Sequence, residues 1–248
     1  EDAATNADLV EHANKINDAC EMYLALGNVN YEQGLYATAL EQYIHASELD
    51  ANRADIWCGM AKTNIALDNL VDAITQYGNA IRIDQRCYEA HAGMAMISFK
   101  NNRLIDALES VRVAVTLAPH ISEYHLMLAE ILHALEKRDE CINVLRKLPK
   151  FIPSNPNALI RFANLAFDVG MIDEAYEILQ KLIAIDDTNA QAYYLIGRIY
   201  RLRNDLQKAM SALRQAIKLR PSFKEAQREL NLIKPLSLLS RRRTKEDR

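Results

Sequence analysis

The chain has 248 residues, of which half are hydrophobic and a quarter are charged, a composition typical of a globular protein rather than a disordered one. Seven glycines and six prolines are few, which argues against glycine-rich phosphate-binding loops and against folds of many short strands. No run of about 18 apolar residues occurs, so we expect a soluble protein without a membrane-spanning helix.

Charge is unevenly distributed along the chain. Residues 188–248 carry 15 basic and 5 acidic residues, a net charge of +10, whereas the rest carries 15 basic and 28 acidic residues, a net charge of -13. Such a field biases how partners approach and favours head-to-tail contact between copies.

The start of the chain and its cysteines bear on localisation. Glu1 is preceded by neither an initiator Met nor a signal region, so we expect a trimmed or processed start from which targeting information has been removed. The four cysteines, at 20, 58, 87 and 141, show no paired spacing. Isolated thiols favour a reducing compartment, and we expect a cytoplasmic protein.

The first predicted element is a short amphipathic helix over 6–18, where Leu9, Ala13 and Ile16 recur at helical spacing. It does not match the pattern that follows. We interpret residues 1–19 as a separate N-terminal helix that docks on the next one, or as the remnant of a preceding repeat.

From Cys20 onward the same residue types return every 34 residues in six copies. One column holds small residues: Ala39, Ala73, Ala107, Cys141, Ala175 and Ala209. Another holds large ones: Tyr43, Tyr77, Val111, Leu145, Leu179 and Leu213. Small residues let paired helices approach closely and large ones fill the space between them, so we expect both columns in the core.

Each copy predicts two helices. The expected pairs are 20–33 with 36–49, 54–67 with 70–83, 88–101 with 104–117, 122–135 with 138–148, 156–169 with 172–185, and 190–203 with 206–219. Gly34, Asp68, Asn102 and Gly170 lie at the turns inside the pairs, where Gly, Asn and Asp tolerate a left-handed backbone.

The fourth copy differs, because Pro149 lies in what should be the last turn of its second helix and ends that helix early. Asn155 and Pro156 then predict an N-cap and a first-turn proline for the next helix. We expect a joint near 148–155.

The last predicted helix covers 223–233, with Ala226, Leu230 and Ile233 on its buried face and Glu229 among the residues that face water. It lies in a capping segment, 222–234, that closes the stack. Residues 235–248 form a basic tail that we expect to be mobile.

These columns resemble the tetratricopeptide repeat (TPR) family, whose 34-residue signature includes an aromatic residue, Leu-Gly, a late alanine and a proline. Matching positions are Trp57, Tyr193, Leu26-Gly27, Ile196-Gly197, Ala46, Ala80, Ala114, Ala216, Pro119, Pro153 and Pro221. The resemblance covers about 20–233 and implies an all-α fold, a right-handed α-solenoid of helix-turn-helix repeats with a concave groove, over 20–221.

The resemblance also implies that one stripe of each first helix lines that groove. The candidate peptide-binding residues are Tyr31, Lys62, Ile65, Met96, Phe99, Glu130, Asn164, Phe167, Tyr194, Arg198 and Arg201. An acidic row, Glu21, Asp55, Glu89 and Glu123, precedes the two arginines. We expect a peptide with apolar anchors, basic groups toward the acidic row and a carboxylate toward the arginines. The alternative is that the apolar side chains pack between first helices and the charges are merely solvated.

Other chemistry is not indicated. In related co-chaperone domains a carboxylate clamp of Lys, Asn and Arg residues grips a peptide terminus, and only Asn28 fits among the matching positions, which hold Leu24, Asn28, Gly59, Glu89 and Gly93. The histidines form no zinc spacing, and His91 and His125 occupy the aromatic column. No nucleophile elbow or nucleotide-binding loop occurs. We predict no enzyme, no metal and no cofactor.

The leading hypothesis is a non-catalytic scaffold or adaptor that binds a protein or peptide ligand in the groove. Two alternatives remain: the recognition arm of a larger enzyme or of a secretion or transport assembly, and a homo-oligomeric platform joined through oppositely charged ends. The basic tail is expected to be a solvated terminus, with contact to anionic membranes as an alternative, and no nucleic-acid partner is predicted.

Overall fold

The computed structural model describes residues 2–148 and 155–233, with side chains from Asn14 onward. These residues form thirteen α-helices and no β-strand. The helices are α1 (Asp2–Glu32), α2 (Tyr36–Leu49), α3 (Ala54–Ala66), α4 (Leu70–Ile83), α5 (Tyr88–Lys100), α6 (Leu104–Leu117), α7 (Ser122–Ala134), α8 (Arg138–Lys147), α9 (Pro156–Asp168), α10 (Ile172–Ile185), α11 (Ala190–Leu202), α12 (Leu206–Leu219) and α13 (224–233). Within the described chain none of them is both long and apolar enough to cross a bilayer.

The predicted helix pairs are confirmed to within one residue at nearly every end. The exception is the N-terminus, where α1 runs without interruption through the two helices expected at 6–18 and 20–33. The prediction of a separate short helix is wrong, since no proline or glycine separates the two segments and nothing ends the first one.

The turns inside the pairs adopt the left-handed backbone at intervals of 34 residues. Positive φ occurs at Gly34, Asp68, Asn102, Glu136, Gly170 and Asn204. The first three and Gly170 were predicted from residue type; Glu136 and Asn204 were not. Each turn reverses the chain so that the second helix packs back on the first.

The fourth pair has the expected short second helix, α8, which ends at Lys147. Residues 149–154 lie outside the described chain, so the joint expected there stays a prediction. The next helix begins as predicted: the side chain of Asn155 accepts a hydrogen bond of 2.8 Å from the backbone N–H of Asn157, and Pro156 occupies the first turn.

The described residues form two compact units, which lie within Glu1–Tyr124 and His125–Arg248. In both units the two predicted core columns are buried, with no member more than 2% exposed. Tyr43 illustrates the packing in unit 1. Its ring lies between Gly27 of α1 and Gly59 of α3, since a Cβ on either glycine would come within 2.6 Å of it, and its hydroxyl donates to Asn28 Oδ1 at 2.8 Å.

In unit 2 the last helix covers the apolar face of the pair before it. Phe223, Ala226, Leu230 and Ile233 join one cluster with α12 and are at most 7% exposed, as predicted. Glu229 was expected to face water, but only 13% of its side chain is exposed and it contacts Arg201.

Candidate functional site

The candidate residues of unit 1 lie on the first helices α1, α3 and α5, and we call this surface the unit 1 face. Tyr31, Ile65 and Phe99 are half-buried, and Tyr31 packs against Tyr36 with ring centroids 5.4 Å apart. Met96 is 39% exposed. The apolar side chains therefore serve the core in part, and Met96 is the one that offers an exposed surface.

The acidic row on the same face is partly neutralised within the protein. Arg53 forms hydrogen-bonded ion pairs with both Glu21 and Asp55, the second at 2.6 Å, and Lys62 Nζ lies 3.4 Å from Glu89 Oε2. All these carboxylates are well exposed, so each pair adds little stability. A basic ligand would have to compete with Arg53 and Lys62 for the row.

The candidate residues of unit 2 lie on α7, α9 and α11, which form the unit 2 face. Glu130 of α7 binds Arg161 of α9 through two hydrogen bonds, Nε to Oε1 at 2.6 Å and Nη2 to Oε2 at 2.7 Å. Their side chains are only 22% and 27% exposed. Glu130 is thus paired with Arg161, a partner that the sequence did not indicate. Asn164 lies on α9, as Arg161 does, and is half-buried.

Further along this face the aromatic and cationic candidates come together. Phe167 is 9% exposed, because the Arg198 guanidinium lies over its ring at 4.3 Å; the same group is 5.7 Å from the ring centroid of Tyr194. Tyr194 in turn packs on Phe223 at 4.9 Å. A ligand would therefore contact Arg198 and Tyr194 before Phe167.

A recess of about 390 Å³ opens beside this group. It is lined by Gln191, Tyr194, Arg220, Ser222, Phe223 and Glu225. Arg220 stacks on the Phe223 ring at 3.7 Å and donates to Gln191 Oε1 at 3.4 Å. Arg201, the last candidate, contacts Glu229 at 3.0 Å, although the two atoms are not aligned as a hydrogen bond. The recess and Arg198 offer aromatic faces and guanidinium donors suited to a carboxylate or an aromatic side chain.

The positions that would form a carboxylate clamp in unit 1 are occupied otherwise. Asn28 accepts the Tyr43 hydroxyl, and a side chain at Gly59 or Gly93 would collide with a buried tyrosine ring. This packing leaves no room for clamp side chains at Gly59 and Gly93.

Several groups with shifted pKa values outside the cysteines are structural. Burial raises the pKa of Tyr43 to about 12, and a hydrogen bond with Tyr176 raises that of Tyr200 to about 12. Hydrogen bonds from the backbone N–H and side chain of Lys208 lower the pKa of Asp205, which caps α12. These groups lie in cores and caps, where such shifts are expected without catalysis.

One of the two histidines of the aromatic column has a structural contact. His91 Nε2 lies 3.1 Å from the carbonyl of Gln85, and Trp57, one repeat earlier, donates its Nε1–H to the carbonyl of Ala51 at 2.9 Å. Among the described residues no three His, Cys, Asp or Glu side chains are grouped so as to hold a metal ion.

Comparison with known proteins identifies the repeat. Residues 190–223 match the sequence profile of the tetratricopeptide repeat. No curated protein sequence matches the chain.

Several solved structures share the fold. Pseudomonas aeruginosa pilF is 20% identical, with a TM-score of 0.75 over 86% of this chain and 97% of that one. YrrB, described as a TPR protein with an unusual peptide-binding site, is 21% identical, with a TM-score of 0.64 over 75% of this chain and 96% of that one. A chain of the APC/C hetero-tetramer Cut9–Hcn1 is 17% identical, with a TM-score of 0.70 over 92% of this chain but only 46% of that one. These likenesses confirm the TPR fold predicted from the sequence.

Proposed function

From a chain built of tetratricopeptide repeats, we infer a non-catalytic interaction scaffold that binds a peptide segment on its first-helix faces. Repeats of this kind present extended binding surfaces and are generally interaction modules rather than enzymes. The observation that carries the proposal is the unit 2 face, where Tyr194, Arg198 and the adjacent recess combine aromatic surface with guanidinium groups.

Each face suits a different feature of a ligand, namely apolar anchors on the unit 1 face and an acidic group on the unit 2 face. Met96 and Phe99 supply apolar contact area on the unit 1 face. Arg198 has no carboxylate among its described contacts and stacks on aromatic rings instead, so its donors remain suited to an acidic side chain or a C-terminal carboxylate. Because three of the four carboxylates in the acidic row are already paired with Arg53 or Lys62, we assign basic groups of the ligand a smaller role.

YrrB supports the same assignment by analogy, since a peptide-binding site is described on a chain of similar fold. The alternatives, a recognition arm of a larger assembly and a homo-oligomeric platform, stay predictions.

The test is selection of binding peptides from a random display library on the purified protein, followed by fluorescence anisotropy with the selected peptides. We expect apolar anchors and an acidic residue to be enriched. Arg198→Ala should weaken binding of peptides held on the unit 2 face about ten-fold or more, and Met96→Asp with Phe99→Asp should do the same for peptides held on the unit 1 face, since central apolar and arginine contacts dominate such interfaces.

The control is Ile105→Asp, which introduces an aspartate at a side chain that is 59% exposed on the second helix α6. It should bind like the wild type, and circular dichroism checks that each variant remains helical. Selection of no peptide, or equal loss of affinity in the control, would contradict the proposal.

A further inference from the structure

Two cysteines that are 29 residues apart in the sequence meet in unit 1. Cys58, on α3, and Cys87, the N-cap residue of α5, have their Sγ atoms 3.3 Å apart. The other two cysteines behave differently: Cys20 and Cys141 are buried, and each thiol donates to a backbone carbonyl, of Ala46 and of Ala129. Neither motif nor spacing marks the pair, because it results from the packing of two successive first helices.

The two thiols are not equivalent. Cys58 is 1% exposed, whereas Cys87 is only partly buried and is the more exposed of the two. A hydrogen bond from Cys58 lowers the pKa of Cys87 to about 7, with help from the backbone N–H of Ala90 and against the effect of burial. The same hydrogen bond and stronger burial raise the pKa of Cys58. Since the thiolate is the reactive form, Cys87 is the nucleophile and Cys58 the second thiol.

We propose that Cys58 and Cys87 form a redox-active dithiol that a peroxide converts into a disulfide. The Cys87 thiolate attacks one peroxide oxygen, the O–O bond breaks, and the leaving oxygen takes a proton to become water, which leaves a sulfenic acid on Cys87. The Cys58 sulfur then attacks the Cys87 sulfur; its proton and the sulfenic hydroxyl depart as a second water. Overall two thiols lose two electrons and one hydrogen peroxide is reduced to two waters.

The disulfide would join α3 covalently to the start of α5. Cys58 lies one helical turn before Lys62, and Cys87 lies two residues before Glu89, so the bond forms beside the Lys62–Glu89 ion pair of the unit 1 face. Oxidation would hold the two helices at one spacing and thereby change peptide binding on that face. This last consequence rests on the proposed function; formation of the disulfide does not.

The chemical test treats the folded protein with hydrogen peroxide, alkylates the remaining thiols after unfolding, and maps the cysteines by mass spectrometry. We expect a linked peptide pair containing Cys58 and Cys87 with two hydrogen atoms lost, while Cys20 and Cys141 are recovered as thiols. Loss of the Cys87 thiol should be about ten-fold faster than loss of either buried single thiol.

Variants separate the roles of the two sulfurs. In Cys58→Ser, dimedone should trap a sulfenic acid on Cys87, whereas in Cys87→Ser no adduct should form at Cys58. Cys141→Ser is the control and should form the disulfide at the wild-type rate. Absence of the Cys58–Cys87 linkage in the wild type, or its formation at the same rate in urea, would overturn the proposal.

A second measurement separates this inference from the proposed function. Peptides selected on the reduced protein are titrated against the oxidised and the reduced forms, and we expect different affinities. If the disulfide forms but the affinities agree, the link to the unit 1 face is overturned; if no peptide binds either form, the proposed function fails while the dithiol stands.

Discussion

Two tyrosine rings in the core of unit 1 lie against glycines of the following first helix. A Cβ on Gly93 would be 2.1 Å from Cζ of Tyr77 and 2.3 Å from its Cε2, well inside van der Waals contact. We expect Gly93→Ala to lower the free energy of unfolding by about 1–3 kcal/mol, because the added methyl overpacks a filled core. Urea denaturation followed by circular dichroism measures the change.

Gly78 of α4 is the control for that substitution, since a Cβ there would meet nothing within 4 Å. Gly78→Ala should raise the stability by about 0.5–1 kcal/mol, because alanine favours a helix interior over glycine. Destabilisation of both variants by similar amounts would count against the tyrosine–glycine contact as the cause.

Glu136 has a left-handed backbone conformation that glutamate rarely adopts. Its φ is 58°, at the turn position where two other repeats have glycine. Glu136→Gly should raise the free energy of unfolding of unit 2 by about 1 kcal/mol, because glycine adopts the left-handed region without a clash of its Cβ. Thermal and urea denaturation give the change.

Glu136→Ala separates this effect from that of the charge, because it removes the same carboxylate but keeps a Cβ. It should give no such gain. An equal gain in the alanine variant would mean that the charge, and not the backbone, is the source.

Residue types indicated most of these backbone positions but not all of them. Gly34, Asp68, Asn102 and Gly170 were predictable because their side chains favour or tolerate positive φ. The positive φ of Glu136 was not predictable from residue type, because glutamate has no such preference. Only its position, 34 residues from the neighbouring turn residues, indicates it.

At the scale of elements, the Glu130–Arg161 pair ties α7 to α9. Arg161→Lys should lower the free energy of unfolding by about 1 kcal/mol, because an ammonium cannot make both of the parallel hydrogen bonds of the guanidinium. A double-mutant cycle with Glu130→Gln measures the coupling directly.

The exposed pair Arg203–Asp173 is the comparison for that cycle. The Asp173 side chain is 86% exposed, so Asp173→Asn should change the stability by less than about 0.5 kcal/mol. A cost at Asp173 as large as that at Arg161 would show that burial does not distinguish the two pairs.

Helix bounds were predictable because each helix carries the same columns and ends at a turn residue or proline. The pairing of side chains between helices was not. Arg53 meets Glu21, and Arg161 meets Glu130, through the rotation of one first helix relative to the next, which sequence spacing does not specify. For the same reason, the contact between Cys58 and Cys87 was not predictable from the sequence.

At the scale of the molecule, an array of repeats requires its apolar ends to be covered. In unit 2 α13 provides the cover, and Leu230, which is 7% exposed, belongs to the shared cluster. Leu230→Asp should lower the free energy of unfolding by about 3 kcal/mol or more, since it removes an apolar contact and buries a carboxylate. Dye binding to exposed apolar surface should rise in parallel.

Leu232, two residues further on, is 61% exposed and supplies the matched control. Leu232→Asp introduces the same charge on the same helix and should leave both stability and dye binding nearly unchanged. Equal effects at the two positions would contradict the covering role of α13.

The candidate site was predictable only in outline. The repeat pattern places Met96 and Arg198 on first-helix faces, but it does not indicate that Phe167 lies beneath Arg198 or that Glu130 is paired with Arg161.

The hypothesis of a homo-oligomeric platform rests on charge distribution alone. A protein that stays monomeric by light scattering at about 20 mM salt, where screening is weak, would rule it out.

The tyrosine–glycine contacts also mean that the repeats are not interchangeable modules. Sixteen residues after Tyr43 and Tyr77 the chain has Gly59 and Gly93, whereas sixteen residues after Leu145 and Leu213 it has Arg161 and Glu229. The large rings of Tyr43 and Tyr77 are thus matched by glycine on the next first helix, whereas longer side chains stand at that step after Leu145 and Leu213. A repeat that is duplicated or moved would have to keep the core residue of its second helix together with the residue sixteen positions later. The segment that must stay intact therefore runs from the middle of one repeat to the middle of the next.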